Sequence, residues 1–237
     1  VKNHHVIHAA VVLLIVSMTP VVTLAQTEVH EQWWPEADVF IRTTYTTRVF
    51  LLAGATRDQL SGPVDAQYGA HFDFGLPPFL RELFTEYDNE TQPFQYLVLR
   101  LGVRHLTSLS DESDYSENRG IIELTARETL PENLRLALRI RPELRWVNGV
   151  YSTRVRTRLW LERTFYPDPS LTVTPYVTSE LFWDSRVSTF NRSRTMIGVN
   201  VGVVPWFAPE INIGYQRDWE LRDSKTYFMS TIFNFYF

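Results

Sequence analysis

From Trp33 to the last residue, apolar and polar side chains alternate with a period of two. Leu97, Leu99, Leu101 and Val103 alternate with Arg100, Gly102 and Arg104. Leu134, Leu136, Leu138 and Ile140 alternate with Arg135, Arg139 and Arg141, and Val155, Leu159 and Leu161 with Arg154, Arg156, Arg158 and Glu162. Successive side chains on a strand point to opposite faces, so each run carries one apolar face and one charged face. These runs are roughly 10–14 residues long, whereas an average strand has about 5–6 and a tilted strand crossing a bilayer needs about 9–11. The pattern predicts an all-β, antiparallel transmembrane β-barrel with apolar side chains outside and polar ones inside.

Eleven candidate strand segments lie near residues 34–43, 46–56, 67–76, 94–104, 119–129, 134–146, 150–163, 171–184, 191–204, 208–218 and 226–237. Bacterial single-chain barrels have an even number, which points to ten or twelve. Ten follows if the first two runs form one strand. The turn-like Thr43–Thr47 stretch favours twelve, with a further short strand near the N-terminus. Connections at 130–133, 166–170 and 205–209 read as short periplasmic turns. Those at 57–66, 105–119, 185–191 and 218–224 read as longer outer loops. Two connections break the alternation. Asn148-Gly149 is a tight turn on the outer side. Residues 75–93, on the periplasmic side, place Phe79, Leu80, Leu83, Phe84 and Tyr87 on one face of a short helix after Pro77-Pro78.

Residues 1–25 read as a cleavable signal peptide, which leaves 26–237 as the barrel. Lys2 begins it, residues 6–18 are apolar apart from His8 and Ser17, and Thr23-Leu24-Ala25 supplies small residues for cleavage. This implies a Gram-negative outer-membrane destination. The absence of cysteine excludes disulfides, Cys-ligated metals and a thiol nucleophile. No Gly-rich phosphate loop occurs, and a net charge of −4 argues against nucleic acid. No cofactor is expected. Lys2 and Lys225 are the only lysines, so 21 of the 23 cationic residues are arginines. Arginine suits confined ion pairs, and the skew predicts charges that face one another.

The final strand places Met229, Phe233, Phe235 and Phe237 in one register, and this resembles the assembly signal of outer-membrane proteins. The barrel assembly machinery and the outer-membrane lipid and lipopolysaccharide are the partners it implies. The chain also resembles an uncharacterised outer-membrane β-barrel family, domain of unknown function family 2490. The resemblance is carried by Trp34-Pro35-Glu36, Arg139-Ile140-Arg141, Ser179-Glu180-Leu181-Phe182 and Ile213-Gly214-Tyr215, and would span nearly all of 30–237. It implies a barrel and no assigned activity. The 75–93 connection is longer than that family's pattern implies.

The charged inward face is the strongest candidate site. It comprises Arg100, Glu123, Arg127, Arg139, Arg141, Arg154, Arg156, Arg158, Glu162, Glu180 and Arg194, with Glu36, Asp38, Arg42, Arg104, Arg135 and Arg217 on the same parity reading. Two readings are open. In one, the charges form an ion-pair ladder that fills a non-conducting structural barrel, since unpaired buried charges cost several kcal/mol each. In the other, an arginine excess lines a narrow porin-like channel and draws small anionic solutes. A lipid- or lipopolysaccharide-modifying enzyme is a third class. The region after the signal has only His30, His71 and His105, with no nucleophile motif around them. His105 reads as a solvated loop residue, His71 as a satisfied lumen group, and no catalytic residue is assigned. The acidic run 111–117 lacks calcium-loop spacing and reads as a solvated outer loop, so no metal site is expected. Most tryptophans read as girdle residues near strand ends, with Trp160 a candidate for the lumen.

Overall fold

The computed structural model describes residues 28–76, 94, 96–110, 114–220 and 223–237. The expected signal peptide and the expected helix within 75–93 lie outside the described residues. The strands are β1 (Glu28–Arg42), β2 (Thr47–Asp58), β3 (Gly62–Leu76), β4 (Leu97–Ser108), β5 (Ser116–Leu130) and β6 (Leu134–Val147). They continue as β7 (Val150–Arg163), β8 (Phe165–Asp168), β9 (Leu171–Asp184), β10 (Thr189–Gly202), β11 (Phe207–Asp218) and β12 (Ser224–Tyr236). Each pairs with the next around one sheet, except that β7 pairs with β9, and β12 returns to β1. The result is a closed all-β barrel.

The stave count differs from the parity expectation. β8 has four residues and pairs with the start of β9, beyond the wall, so the wall itself has eleven staves rather than ten or twelve. Eleven up-and-down staves leave the first and last running in the same direction. Accordingly β1 and β12 pair in parallel, from Glu28 opposite Ser224 to Phe40 opposite Tyr236. A parallel ladder still engages the backbone groups of both strands, with slanted and evenly spaced bonds. All other stave pairs are antiparallel. The 43–46 stretch is a turn, as its composition suggests.

Several expected loops are shorter because the ladders run further. The 57–66 connection shrinks to residues 59–61, since β2 and β3 keep pairing as far as Asp58 and Gly62. Asn148 and Gly149 make a two-residue turn with φ of 46° and 83°, the left-handed pair that matches strand twist. The C-terminus shares one end of the barrel with the 43–46, 131–133 and 203–206 connections, whereas Glu28 lies at the other end.

Alternation determines which side chains go where, and the polarity is inverted relative to a water-soluble protein. On β6, Leu138, Ile140, Leu144 and Trp146 face outward at 39–44% exposure, while Arg141, Glu143 and Arg145 are 1–5% exposed inside. Ile197, Ile211, Ile213 and Met229 extend the apolar outer surface across β10 to β12. The core therefore interleaves buried charges with buried rings such as Phe50, Phe182 and Phe228. Among the described residues no helix is long and apolar enough to cross a membrane.

Candidate functional site

The densest charge lies on the inner face of β5, β6, β7 and β9. Register places Arg139 opposite Arg158, Arg141 opposite Arg156, and Arg158 opposite Glu180. Like charges directly opposite each other repel, so these arginine pairs require carboxylates between them. Glu180 supplies one. It accepts from Arg156 at 3.0 Å, from Arg139 at 2.8 Å and from Arg158 at 2.9 Å, and it is fully buried. Glu143 accepts from Arg154 Nε at 2.7 Å and Arg156 Nη1 at 3.1 Å. Glu123 hydrogen-bonds Arg141 and lies 3.7 Å from Arg139 Nε. Five arginines thus share three carboxylates, and this wall keeps a positive surplus.

Two further networks close the ends of the band. Toward the Glu28 end, Glu117 takes Arg119 and Arg145 at 2.5 Å each, while Asp184 takes Arg145 at 3.2 Å and Arg186 at 2.7 Å. The Tyr115 hydroxyl also bonds Glu117, and burial together with that carboxylate pushes the phenol above its ordinary range. Toward the other end, Asp73 receives Arg100 at 2.6 Å and Arg48 at 2.8 Å. Arg127 Nη1 donates to the Phe94 carbonyl at 2.6 Å, and Arg48 lies over the Phe94 ring. Arg135 meets Glu162 at 3.0 Å.

The opposite wall is different. Glu36, Asp38 and Glu210 face the lumen from β1 and β11. Glu36 accepts from Gln67 Nε2 at 2.9 Å, and Glu210 accepts from Tyr176. Tyr176 crosses β10 to reach Glu210 because Gly198 is there. A Cβ on Gly198 would lie 2.6 Å from the Tyr176 hydroxyl. Arg194 donates from Nε and Nη2 to Gln216 Oε1 at 3.0 and 2.6 Å and lies over Trp34, which stacks on Phe228 at 3.8 Å between centroids.

Between these walls lies a cavity of about 1010 Å³. Of the eleven charged residues expected there, all but Glu180 line it, and Glu180 sits behind its arginines. Among the described residues, fifteen arginines but only eight carboxylates form the lining, because Asp73, Glu117, Glu143 and Glu180 are sequestered against the wall. The surface that a solute would meet is therefore cationic.

Some inward residues escaped the sequence reading. Glu143 and Arg145 continue the odd-numbered parity of Arg139 and Arg141 beyond Pro142, and that signal could have found them. Glu117 was expected in a solvated acidic loop, but as the second residue of β5 it turns inward and is fully buried. Arg217 was expected inside, yet it shares the outward parity of Ile211 and Ile213 and lies 3.5 Å from Asp223. Trp160 lines the lumen, and so does Trp34. His71 is buried against Phe50, whereas His105 Nδ1 pairs with Asn118 at 2.8 Å beside Tyr68. Among the described residues no group of three His, Asp or Glu could hold a metal ion.

The Arg139–Arg141 and Ser179–Phe182 pieces thus converge on one ion-pair cluster. A family comparison matches residues 54–229, which include both. The chain belongs to the family described as protein of unknown function (DUF2490). No curated protein matches it. The DUF2490 match takes in Ile213-Gly214-Tyr215 as well. It begins after Trp34-Pro35-Glu36, so the shared region is shorter than the expected 30–237.

Proposed function

We propose that this DUF2490 chain is an outer-membrane barrel whose lumen is a narrow, anion-attracting passage. The observation that carries the reading is the cationic lining: fifteen arginines against eight carboxylates around the cavity, with the best-paired acids withdrawn behind them. Charged rings of one sign set pore selectivity, and a low-dielectric wall focuses their field. The apolar outward face supports placement in a bilayer, where closed barrels satisfy every backbone group internally. The aromatic C-terminal strand supports delivery by the barrel assembly machinery, with outer-membrane lipid and lipopolysaccharide as surroundings. This reading assigns no covalent chemistry to the lumen.

A second reading rests on the sharing of Glu180 among three arginines, which suits a cross-linked, non-conducting plug. Purified barrel in planar bilayers separates the two. A passage conducts with anion preference, and replacing Arg139, Arg156 and Arg158 with Gln lowers that preference. Silent bilayers containing correctly folded barrel would instead establish the plug.

A further inference from the structure

Across the lumen from the arginine-rich wall of β6 and β7, β1 and β11 contribute a local group of carboxylates, and each side has hydrogen-bonding groups left over. Arg139 and Arg158 are direct cross-strand neighbours, and each hydrogen-bonds Glu180 through Nη2, with Arg139 Nε a further 3.7 Å from Glu123. Their Nε atoms have no hydrogen-bond partner among the described residues, and neither has Trp160 Nε1, two residues further along the same face of β7. Three residues lining the cavity on adjoining strands therefore each keep a buried N–H donor without a hydrogen-bond acceptor among the described residues. Buried polar groups are rarely left so, and an unmatched cluster calls for an unseen partner.

In a wall of eleven staves, β1 lies about half-way round from β6 and β7. From β1, Asp38 lines the cavity at 9% exposure, and its Oδ1 has no donor among the described residues. Glu36, two residues before it, and Glu210 on β11 add two more carboxylates on this side, bonded to Gln67 and Tyr176, and none of the three forms an ion pair among the described residues. Arg100 and Arg104 line the same cavity, but neither pairs directly with Asp38. A buried carboxylate without a direct partner is costly, and an ammonium group would relieve it. The arginine-rich wall asks for a carboxylate or phosphate, and the carboxylates around Asp38 ask for a cation.

We propose that the lumen binds a small zwitterionic solute, its anionic end on Arg139, Arg158 and Trp160 and its ammonium end on Asp38. This rests on the passage reading for how the solute arrives, but the site is testable without conduction. Opposed charges across the lumen orient such a molecule along their field. A simple anion satisfies one wall and leaves the other unpaired, so the second contact confers selectivity.

Calorimetry on the purified barrel in detergent, with 4-aminobutyrate, butyrate and butylammonium as probes, tests the site. The zwitterion is expected to bind at least about tenfold more tightly than either singly charged probe, the worth of one added charge-assisted contact. Asp38→Asn should reduce 4-aminobutyrate to the affinity of butyrate. Trp160→Phe should weaken both and leave butylammonium unchanged. Heat-modifiable migration on gels confirms that each variant is folded. Butyrate binding as tightly as 4-aminobutyrate overturns the proposal, and so does anion-selective conductance without binding of any probe; both leave the passage intact. Zwitterion binding by a barrel that does not conduct sustains the site and removes the passage.

Discussion

Arg156 grips Glu180 through two parallel hydrogen bonds, Nε to Oε1 and Nη2 to Oε2, both 3.0 Å long. This planar fork-to-carboxylate geometry is the strongest form of the pair. It also anchors β7 to β9 at the middle of the cluster, with Arg139 reaching the same carboxylate from β6. Glu180→Gln keeps the volume but leaves three arginines competing for a neutral acceptor. Breaking a buried pair by removing one partner costs about 3–5 kcal/mol. Urea unfolding of the barrel in lipid vesicles should show a loss of that order, and a loss within about 0.5 kcal/mol would mean that water already screens the cluster.

Ile140 lies on β6 between Arg139 and Arg141, and faces outward at 42% exposure. Ile140→Arg would add one more cation to the face proposed to meet lipid. At the middle of a bilayer such a change costs about 2–4 kcal/mol, and much less where the face meets water. The same vesicle unfolding measures it. A barrel indifferent to this substitution is not embedded at that depth.

Phe237 closes the seam. Its N–H donates to the Phe40 carbonyl at 2.8 Å, and the Arg42 N–H donates to the Phe237 carbonyl at 2.7 Å. Phe237→Ala leaves both backbone bonds in place and removes only the ring. We expect it to fold normally in vitro and to accumulate unassembled in cells, whereas deleting Phe237 also lowers stability in vitro, at about 0.5–1.5 kcal/mol per lost bond. Fractionation of cell envelopes followed by heat-modifiable migration reads both effects. Normal assembly of Phe237→Ala would remove the assembly-signal reading.

Much of the barrel is legible from alternation alone. Once Leu138 and Ile140 are placed outside, Arg139 and Arg141 must point inside, because strand geometry admits no other choice. Glu143 and Arg145 follow by the same parity. Glu117 did not, because its acidic neighbours make residues 111–117 look like solvent-exposed loop. Arg217 misled in the opposite way. An arginine on a barrel stave reads as inward, but Arg217 follows the outward parity of Ile211 and Ile213, and near a strand end its long side chain meets Asp223 at 3.5 Å.

By itself the sequence determined that the chain makes long two-faced strands, with arginines on the enclosed face and an aromatic last residue. Those are local properties, set by side-chain period and composition. Strand direction leaves no trace in a period of two, so only the tertiary structure could decide that β1 and β12 run parallel and that the wall closes at eleven staves. The same holds for charge pairing. Parity places Glu180 and five arginines inside, but register and side-chain reach decide that Arg139, two staves away, shares Glu180 with Arg156 and Arg158. Which donors are left over, at Trp160 and across the lumen from Asp38, follows from that three-dimensional accounting and from nothing local.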